Sequence, residues 1–265
     1  MPTGKSHRFN AIPLASYKAR GGSRVLSFFT LEKGQLPVSS QYKSSKKSAP
    51  PANVPAFSTY EVILEKGKGD GDLYRLVERT SRTVRPRLNA GKPSDAWATA
   101  SVLAELILRV TTPGDPHPYL FSMLDKAYDS LEDGCPVRGM LIAFFLKTLE
   151  HLGFRPRLDS DHHHSPLPAK GKVIFISALG GTTTEQALAG STEHDVPLTG
   201  KRFQIAPGLR ATLEQLRVSR FEELTGIGLG KDDTNLLVDL FADYIEHYLE
   251  IRLKSLSLWR EICIE

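Results

Sequence analysis

The sequence predicts an α+β chain, with a small five-stranded β-barrel first and a mainly α-helical domain after it, and three observations carry that prediction. Five short runs of β-forming residues precede residue 80, separated by Gly-rich or charged turns. From Pro93 onward apolar residues recur at helical spacing. The charge changes sign at the same place: residues through Lys92 hold 17 Lys and Arg against 6 Asp and Glu, a net of +11, and the rest hold 17 against 24, a net of −7. The overall +4 conceals this polarity. A Lys/Arg cluster of that kind points to a polyanionic partner, because phosphates attract it and counterion release drives the binding.

Residues 11–16 and 24–30 are rich in β-formers, and Gly21-Gly22-Ser23 between them supplies a turn, which together make a hairpin. Residues 31–34 turn into a third strand over 35–42, where Pro37 argues for an edge or a strand start. Residues 43–51, polar, basic and ended by two prolines, cannot join a core and read as a loop. Residues 57–66 and 73–79 form a second hairpin about Gly67-Lys68-Gly69-Asp70-Gly71-Asp72. The barrel domain is set at 1–80 and the helical domain at 81–265.

Pro93 with Ser94 or Asp95 is a helix start, and the spacing predicts helices over 96–110, 118–131 and from Pro136 to Gly153, packed as a bundle. Residues 155–204 form an irregular insertion rich in Gly, Pro, Thr and His, with one strand-like run at 173–176. A helix resumes over 207–217. A longer one, capped by Asp232 or Asp233, carries the pairs Leu236/Leu237, Leu240/Phe241, Tyr244/Ile245 and Tyr248/Leu249 at four-residue spacing, a core-facing stripe.

Composition excludes several classes. Two cysteines, Cys135 and Cys263, are too few for a disulfide framework or a four-cysteine zinc site and fit a reducing, cytoplasmic setting. The basic N-terminus leads into no sustained apolar core, and the longest apolar run, 96–110, contains Glu105 and Arg109 and is too short to span a bilayer, so a soluble protein is expected. The loop 67–72 lacks the Lys-Ser/Thr of a phosphate-cradling loop and the closing Glu of a calcium loop, and no Gly-x-Ser-x-Gly elbow occurs. No enzyme signature remains. Asp161-His162-His163-His164 offers metal-ligand chemistry, with His194 as a further ligand, but adjacent histidines on one loop rarely converge on a single ion. No bound metal and no cofactor is expected.

The basic loops therefore carry the functional expectation. A five-stranded barrel that binds single strands combines a positive groove with aromatic faces on which bases stack. The cations are Arg20, Arg24, Lys43, Lys46, Lys47, Lys66, Lys68, Arg75, Arg79, Arg82, Arg85 and Arg87, and the aromatics are Tyr17, Phe28, Phe29, Tyr42, Tyr60 and Tyr74, some of which must face the core by alternation. Two other classes compete: a metal-dependent hydrolase built on Asp161, His162, His163, His164 and His194, and an adaptor acting through its helical domain alone.

An ordered series of short motifs resembles one family. Ala11-Ile12-Pro13-Leu14 followed by Arg24-Val25-Leu26-Ser27-Phe28-Phe29-Thr30-Leu31-Glu32-Lys33-Gly34 is similar to the opening hairpin of the bacterial DNA repair protein family RecO. Phe57-Ser58-Thr59-Tyr60-Glu61-Val62 and Leu73-Tyr74-Arg75-Leu76-Val77-Glu78 resemble its later barrel strands. Leu149-Glu150-His151-Leu152-Gly153-Phe154-Arg155-Pro156-Arg157-Leu158-Asp159 resembles its "L-x-x-LGY-x-P-x-LD". Ile205-Ala206-Pro207-Gly208 and Glu246-His247-Tyr248-Leu249 with Leu253-Lys254-Ser255 resemble its C-terminal helices. Many members carry two Cys-x-x-Cys pairs after the "LD" in a zinc-ribbon-like site. Here Asp161 and His164 stand near the first pair and no cysteines follow, so the zinc site does not carry over.

The resemblance implies an oligonucleotide-binding (OB-fold) barrel, then a helical domain with a degenerate zinc-ribbon-like insertion. It implies a nucleoid-associated recombination mediator that binds single- and double-stranded DNA and anneals complementary strands without nucleotide hydrolysis. The implied partners are RecR and the single-strand binding protein SSB, which together assist RecA loading. SSB's acidic, apolar-ended C-terminal tail would dock on the helical domain. Arg109, Lys126, Arg138 and Lys147 are the only Lys or Arg from Pro93 to Gly153, and Arg138 and Lys147 are the candidate carboxylate partners. Leu141, Phe144, Phe145 and Leu149 beside them read as core.

Overall fold

The computed structural model describes residues 6–18, 24–39, 54–67, 73–190 and 200–264. The chain divides into two compact units, 1–134 and 135–265.

In the first unit, β1 (Ser6–Lys18), β2 (Arg24–Thr30), β3 (Gly34–Ser39), β4 (Thr59–Lys66) and β5 (Tyr74–Thr83) close into a barrel in the order β1-β2-β3-β5-β4. All neighbours are antiparallel except β3 and β5, which pair in parallel at Val38 with Tyr74 and Ser39 with Arg75. Alternation explains the core: Tyr60, Val62 and Leu64 of β4 join Phe9, Leu26, Phe28 and Leu36 inside, while Glu61, Ile63 and Glu65 face outward. Pro37 lies opposite Ser27, and β5 pairs with β3 only from Val38, so on that flank Pro37 meets no strand among the described residues.

Two helices, α1 (Asp95–Val110) and α2 (Pro118–Glu132), belong to the same unit as the barrel, whose last strand runs past residue 80. The unit boundary thus falls at Gly134, and the three helices expected as one bundle are divided between the units. Ser94 caps α1, its Oγ accepting the Trp97 N–H at 3.2 Å. At the other end Gln35, a buried amide on β3, donates to the Leu108 and Thr111 carbonyls, both at 2.8 Å. A barrel side chain thereby satisfies carbonyls that the end of a helix leaves open. Gly34 makes this approach possible: its φ is +63°, and a Cβ there would lie 2.0 Å from the Asp115 carbonyl oxygen. On α2, Phe121 packs on Phe29 of β2, with ring centroids 5.8 Å apart.

In the second unit, α3 (Val137–His151) is buried on nearly every face from Gly139 to Leu146, as expected of a helix apolar all round. Gly153, at φ +84°, ends it: Phe154 N–H bonds the Leu149 carbonyl and Gly153 N–H the Glu150 carbonyl, a Schellman close. The insertion forms a three-stranded antiparallel sheet, β7-β6-β8, from β6 (Val173–Ile176), β7 (Gly181–Thr183) and β8 (Phe203–Ile205), with a short helix α4 (Glu185–Ala189). Then follow α5 (Pro207–Val218), α6 (Lys231–Leu249) and α7 (Ser255–Cys263). Phe144 and Phe145 of α3 meet Phe221 and Phe241. Gly230 precedes α6 without a side-chain cap, so Asp232 and Asp233 occupy its first turn, where they complement the helix dipole.

Candidate nucleic-acid interface

The cations on the barrel fall into three groups. Arg24 is exposed at the start of β2, donating from Nε to Ser16 Oγ at 2.9 Å, and sits opposite Lys18 in the β1–β2 register. Lys66 is exposed at the end of β4. A second group is tied to carboxylates on the outer barrel face. Arg82 bonds Glu61 at 2.7 Å, Arg8 approaches the same carboxylate at 3.2 Å, and Arg75 bonds Glu65. The Arg82 and Arg75 hydrogen bonds hold the Glu61 and Glu65 carboxyls below their ordinary range. These arginines are exposed, yet a phosphate must compete with a glutamate for each. Arg87 is exposed as well; its backbone N–H donates to the Glu132 carboxylate at 2.8 Å and its Nη1 to the Glu132 backbone carbonyl at 3.2 Å.

The third group turns inward. Arg79 has its guanidinium carbon 5.2 Å from the Tyr60 ring centroid, and its Nη1 is buried without a hydrogen-bond partner among the described residues. Arg85 corrects the expectation of a phosphate contact: its side chain is 1% exposed. Its Nε donates to Asp129 at 2.9 Å, Nη1 to the Phe57 carbonyl at 2.9 Å and Thr59 Oγ1 at 3.2 Å, and Nη2 to Asp125 at 2.6 Å. Every nitrogen is occupied by its own unit. Arg20, Lys43, Lys46, Lys47 and Lys68 lie outside the described residues, as do Tyr42 and His194.

The aromatics divide as cleanly. Phe28, Phe29, Tyr60 and Tyr74 are core, and Tyr17 is 53% exposed.

Asp161 to His164 form a turn. The buried Asp161 carboxylate accepts the N–H groups of His163 and Ser165 at 2.9 and 2.8 Å, so one of its oxygens is spent on the backbone. His162 Nδ1 lies 2.7 Å from Thr183 Oγ1, its ring rests against His163, and His164 takes the left-handed conformation at φ +62°. Among the described residues no three His, Cys, Asp or Glu side chains are placed to hold a metal ion. Burial pushes the Cys135 thiol up to about 11, away from thiolate chemistry.

On the second unit Arg138 Nη2 donates to the Cys263 carbonyl at 3.1 Å, and Lys147 Nζ to the Arg217 carbonyl at 2.6 Å. Leu141, Phe144, Phe145 and Leu149 are core, each at most 1% exposed. Sequence reasoning missed a cleft of about 520 Å³ between residues 155–159 and the first turns of α5, lined by Pro156, Leu158, Pro207 and Ala211 with two arginines, Arg155 and Arg210, and two carboxylates, Asp159 and Glu214. Its two walls come from segments far apart in the chain, so no local pattern announces it. Among the described residues no helix is long and apolar enough to cross a membrane.

Comparison with known proteins agrees with this architecture. The family described as "Recombination protein O C terminal" matches residues 94–257. The "DNA repair protein RecO" of Desulfitobacterium hafniense (strain DSM 10664 / DCB-2) is 24% identical over 249 residues, spanning 94% of this chain and 87% of that protein. The protein of the same name from Pelotomaculum thermopropionicum is 25% identical over 254 residues, 95% of this chain and 92% of its own. That of Myxococcus xanthus is 29% identical over 169 residues, 63% of each. With a family match over more than half its length, on a five-stranded barrel followed by helices, the chain belongs to the RecO family of DNA repair proteins.

Proposed function

We propose that this chain is a non-enzymatic recombination mediator. It binds single- and double-stranded DNA through its barrel, anneals complementary strands without nucleotide or metal, and assists RecA loading together with RecR and SSB. The observation that carries this reading is the net +11 of residues 1–92, the part of the sequence that contains the five barrel strands, against the net −7 of the rest. Annealing requires two polyanions to be neutralised and presented to each other, and counterion release supplies the binding free energy. The exposed Arg24 and Lys66, with Lys43, Lys46 and Lys47 of the basic segment, are the proposed phosphate contacts. Arg75 and Arg82 join them where a phosphate displaces their glutamates, and Arg87 where it displaces the Glu132 backbone carbonyl. SSB's tail docks on the helical part, with Arg138 and Lys147 as carboxylate partners, since each keeps donors beyond the one carbonyl it serves.

The test is a salt-titrated binding curve on single-stranded oligonucleotides. Affinity is expected to fall linearly on a log–log plot, and Lys43→Ala, Lys46→Ala and Lys47→Ala together should flatten the slope by about one unit per lost contact. Binding that is absent at low salt, or indifferent to salt, overturns the reading in favour of an adaptor.

A further inference from the structure

We infer that a hydrogen-bonded clasp, made by the Asp161 carboxylate and the Thr182 hydroxyl, holds the insertion of the second unit together in place of the metal that the family resemblance implies there. The insertion then needs neither zinc nor reduced thiols to fold. A structural zinc site closes four thiolate or imidazole ligands around one ion. Residues 155–204 contain no cysteine. Of the side chains that could stand in, Asp161 spends Oδ1 on the N–H groups of His163 and Ser165, at 2.9 and 2.8 Å, and His162 Nδ1 lies 2.7 Å from Thr183 Oγ1. Among the described residues no three candidate ligands come together, so this donor set does not fit zinc.

The same groups close the loop by themselves. Asp161 N–H donates to the Ser165 carbonyl at 2.9 Å, His164 N–H donates to the Asp161 carbonyl at 3.0 Å, and Ser160 bridges Pro166. Between the two amides that the carboxylate holds sits His164, at φ +62°, a conformation that costs a non-glycine residue free energy. The carboxylate fixes the backbone on both sides of it. Asp161 is buried, and a buried carboxylate needs donors of this kind.

Thr182 fastens the other end. Its Oγ1 lies 3.0 and 2.9 Å from the Arg157 and Ser160 carbonyls, 25 and 22 residues away in the chain, and its N–H donates to the Arg157 carbonyl at 2.8 Å. Gly181 admits this approach, since a Cβ there would lie 2.2 Å from the Arg157 carbonyl oxygen. Thr182 is wholly buried, so its hydroxyl requires these acceptors. Strand β7 in turn pairs with β6, whose Phe175 ring lies 5.5 Å from that of Tyr244 on α6. A metal in such a loop cross-links segments distant in sequence, and here one carboxylate and one hydroxyl do so.

The test follows the full-length protein by thermal melting and amide hydrogen exchange, with a chelator and, separately, with added zinc. Neither addition should move the parent's melting temperature. Asp161→Ala should lower it by about 5–10 °C, and the His163 and Ser165 amides should exchange at least about tenfold faster. Asp161→Asn, whose side-chain oxygen can accept the same two N–H groups, should keep their protection. Thr182→Val, which keeps the shape without the hydroxyl, should lower the melting temperature by about 2–6 °C. A melting temperature that falls in chelator or rises with zinc overturns the clasp in favour of a metal site. Parent-like melting and exchange in Asp161→Ala overturns it as well. Where Asp161→Ala does not fold, Asp161→Asn decides: protected amides uphold the clasp, and exposed amides overturn it.

Discussion

Arg85 Nη2 lies 2.6 Å from Asp125 Oδ1, which ties the loop after β5 to α2 from inside the first unit. The same guanidinium reaches Asp129 and the Phe57 carbonyl, and Thr59 Oγ1 also bonds Asp125. Arg85 is 1% exposed, but Asp125 and Asp129 remain 29% and 51% exposed. Removing one partner of a buried pair costs about 3–5 kcal/mol, and the solvated aspartates place this case at the low end. Arg85→Met should therefore lower unfolding free energy in urea by about 3 kcal/mol. The folded variant should keep the parent's salt slope on DNA. A flattened slope with unchanged stability would return Arg85 to the phosphate contacts.

Two buried hydroxyls have no hydrogen-bond partner among the described residues, Tyr128 Oη on α2 and Thr148 Oγ1 on α3. Both side chains are wholly buried. Burial without a partner is a net cost, so Tyr128→Phe and Thr148→Val should each be neutral or stabilise by about 1 kcal/mol. Denaturant melts decide this. A loss above about 1 kcal/mol in either would mean that its hydroxyl is satisfied in solution.

Why these features escape a reading of the sequence is a matter of range. The barrel is legible because strand alternation is a local signal, and residues 24–30 are delimited by it as they stand in the fold. Arg79, Arg82, Arg85 and Arg87 look alike in the chain, and only tertiary pairing turns Arg85 inward. A partial signal exists: Asp125 and Asp129 are four residues apart on α2, hence on one face with buried Tyr128 and Leu124. The pairing of Glu61 and Glu65 with arginines is hidden for the same reason, since it depends on register across strands. Strands β7 and β8 hold three residues each, too few to show a period. Helix α7 shows in the sequence only through its motif residues, although Leu256 and Trp259 mark its buried side.

The arginine hydrogen bonds on Glu61 and Glu65 fix the sign of an acid response. Both carboxyls titrate lower in the folded chain than the ordinary value of 4.5. Their stabilising contribution is thus complete above about pH 4.5 and is lost as pH falls through the depressed folded values. Glu61→Gln should reduce the drop in melting temperature between neutral pH and about pH 3. It should also release Arg8 and Arg82, raising DNA affinity and steepening the salt slope by about one unit per freed contact. Equal acid sensitivity in variant and parent would show that these pairs do not persist in solution.

The helical part and the barrel should be separable by function. Arg138 and Lys147 each spend a donor on a backbone carbonyl, of Cys263 and Arg217 respectively, and a guanidinium or ammonium has further donors with which to meet a carboxylate. An acidic, apolar-ended peptide with the character of the SSB tail should bind the full chain, and Arg138→Ala and Lys147→Ala should each weaken it. Charge-assisted hydrogen bonds contribute about 1.5–3 kcal/mol, which corresponds to roughly 10- to 150-fold in affinity. Annealing of naked complementary oligonucleotides should persist in both variants, because neither residue belongs to the first unit. Loss of annealing together with tail binding would mean that the helical part contributes to the DNA surface. Tail affinity unchanged in both variants would move the docking site elsewhere.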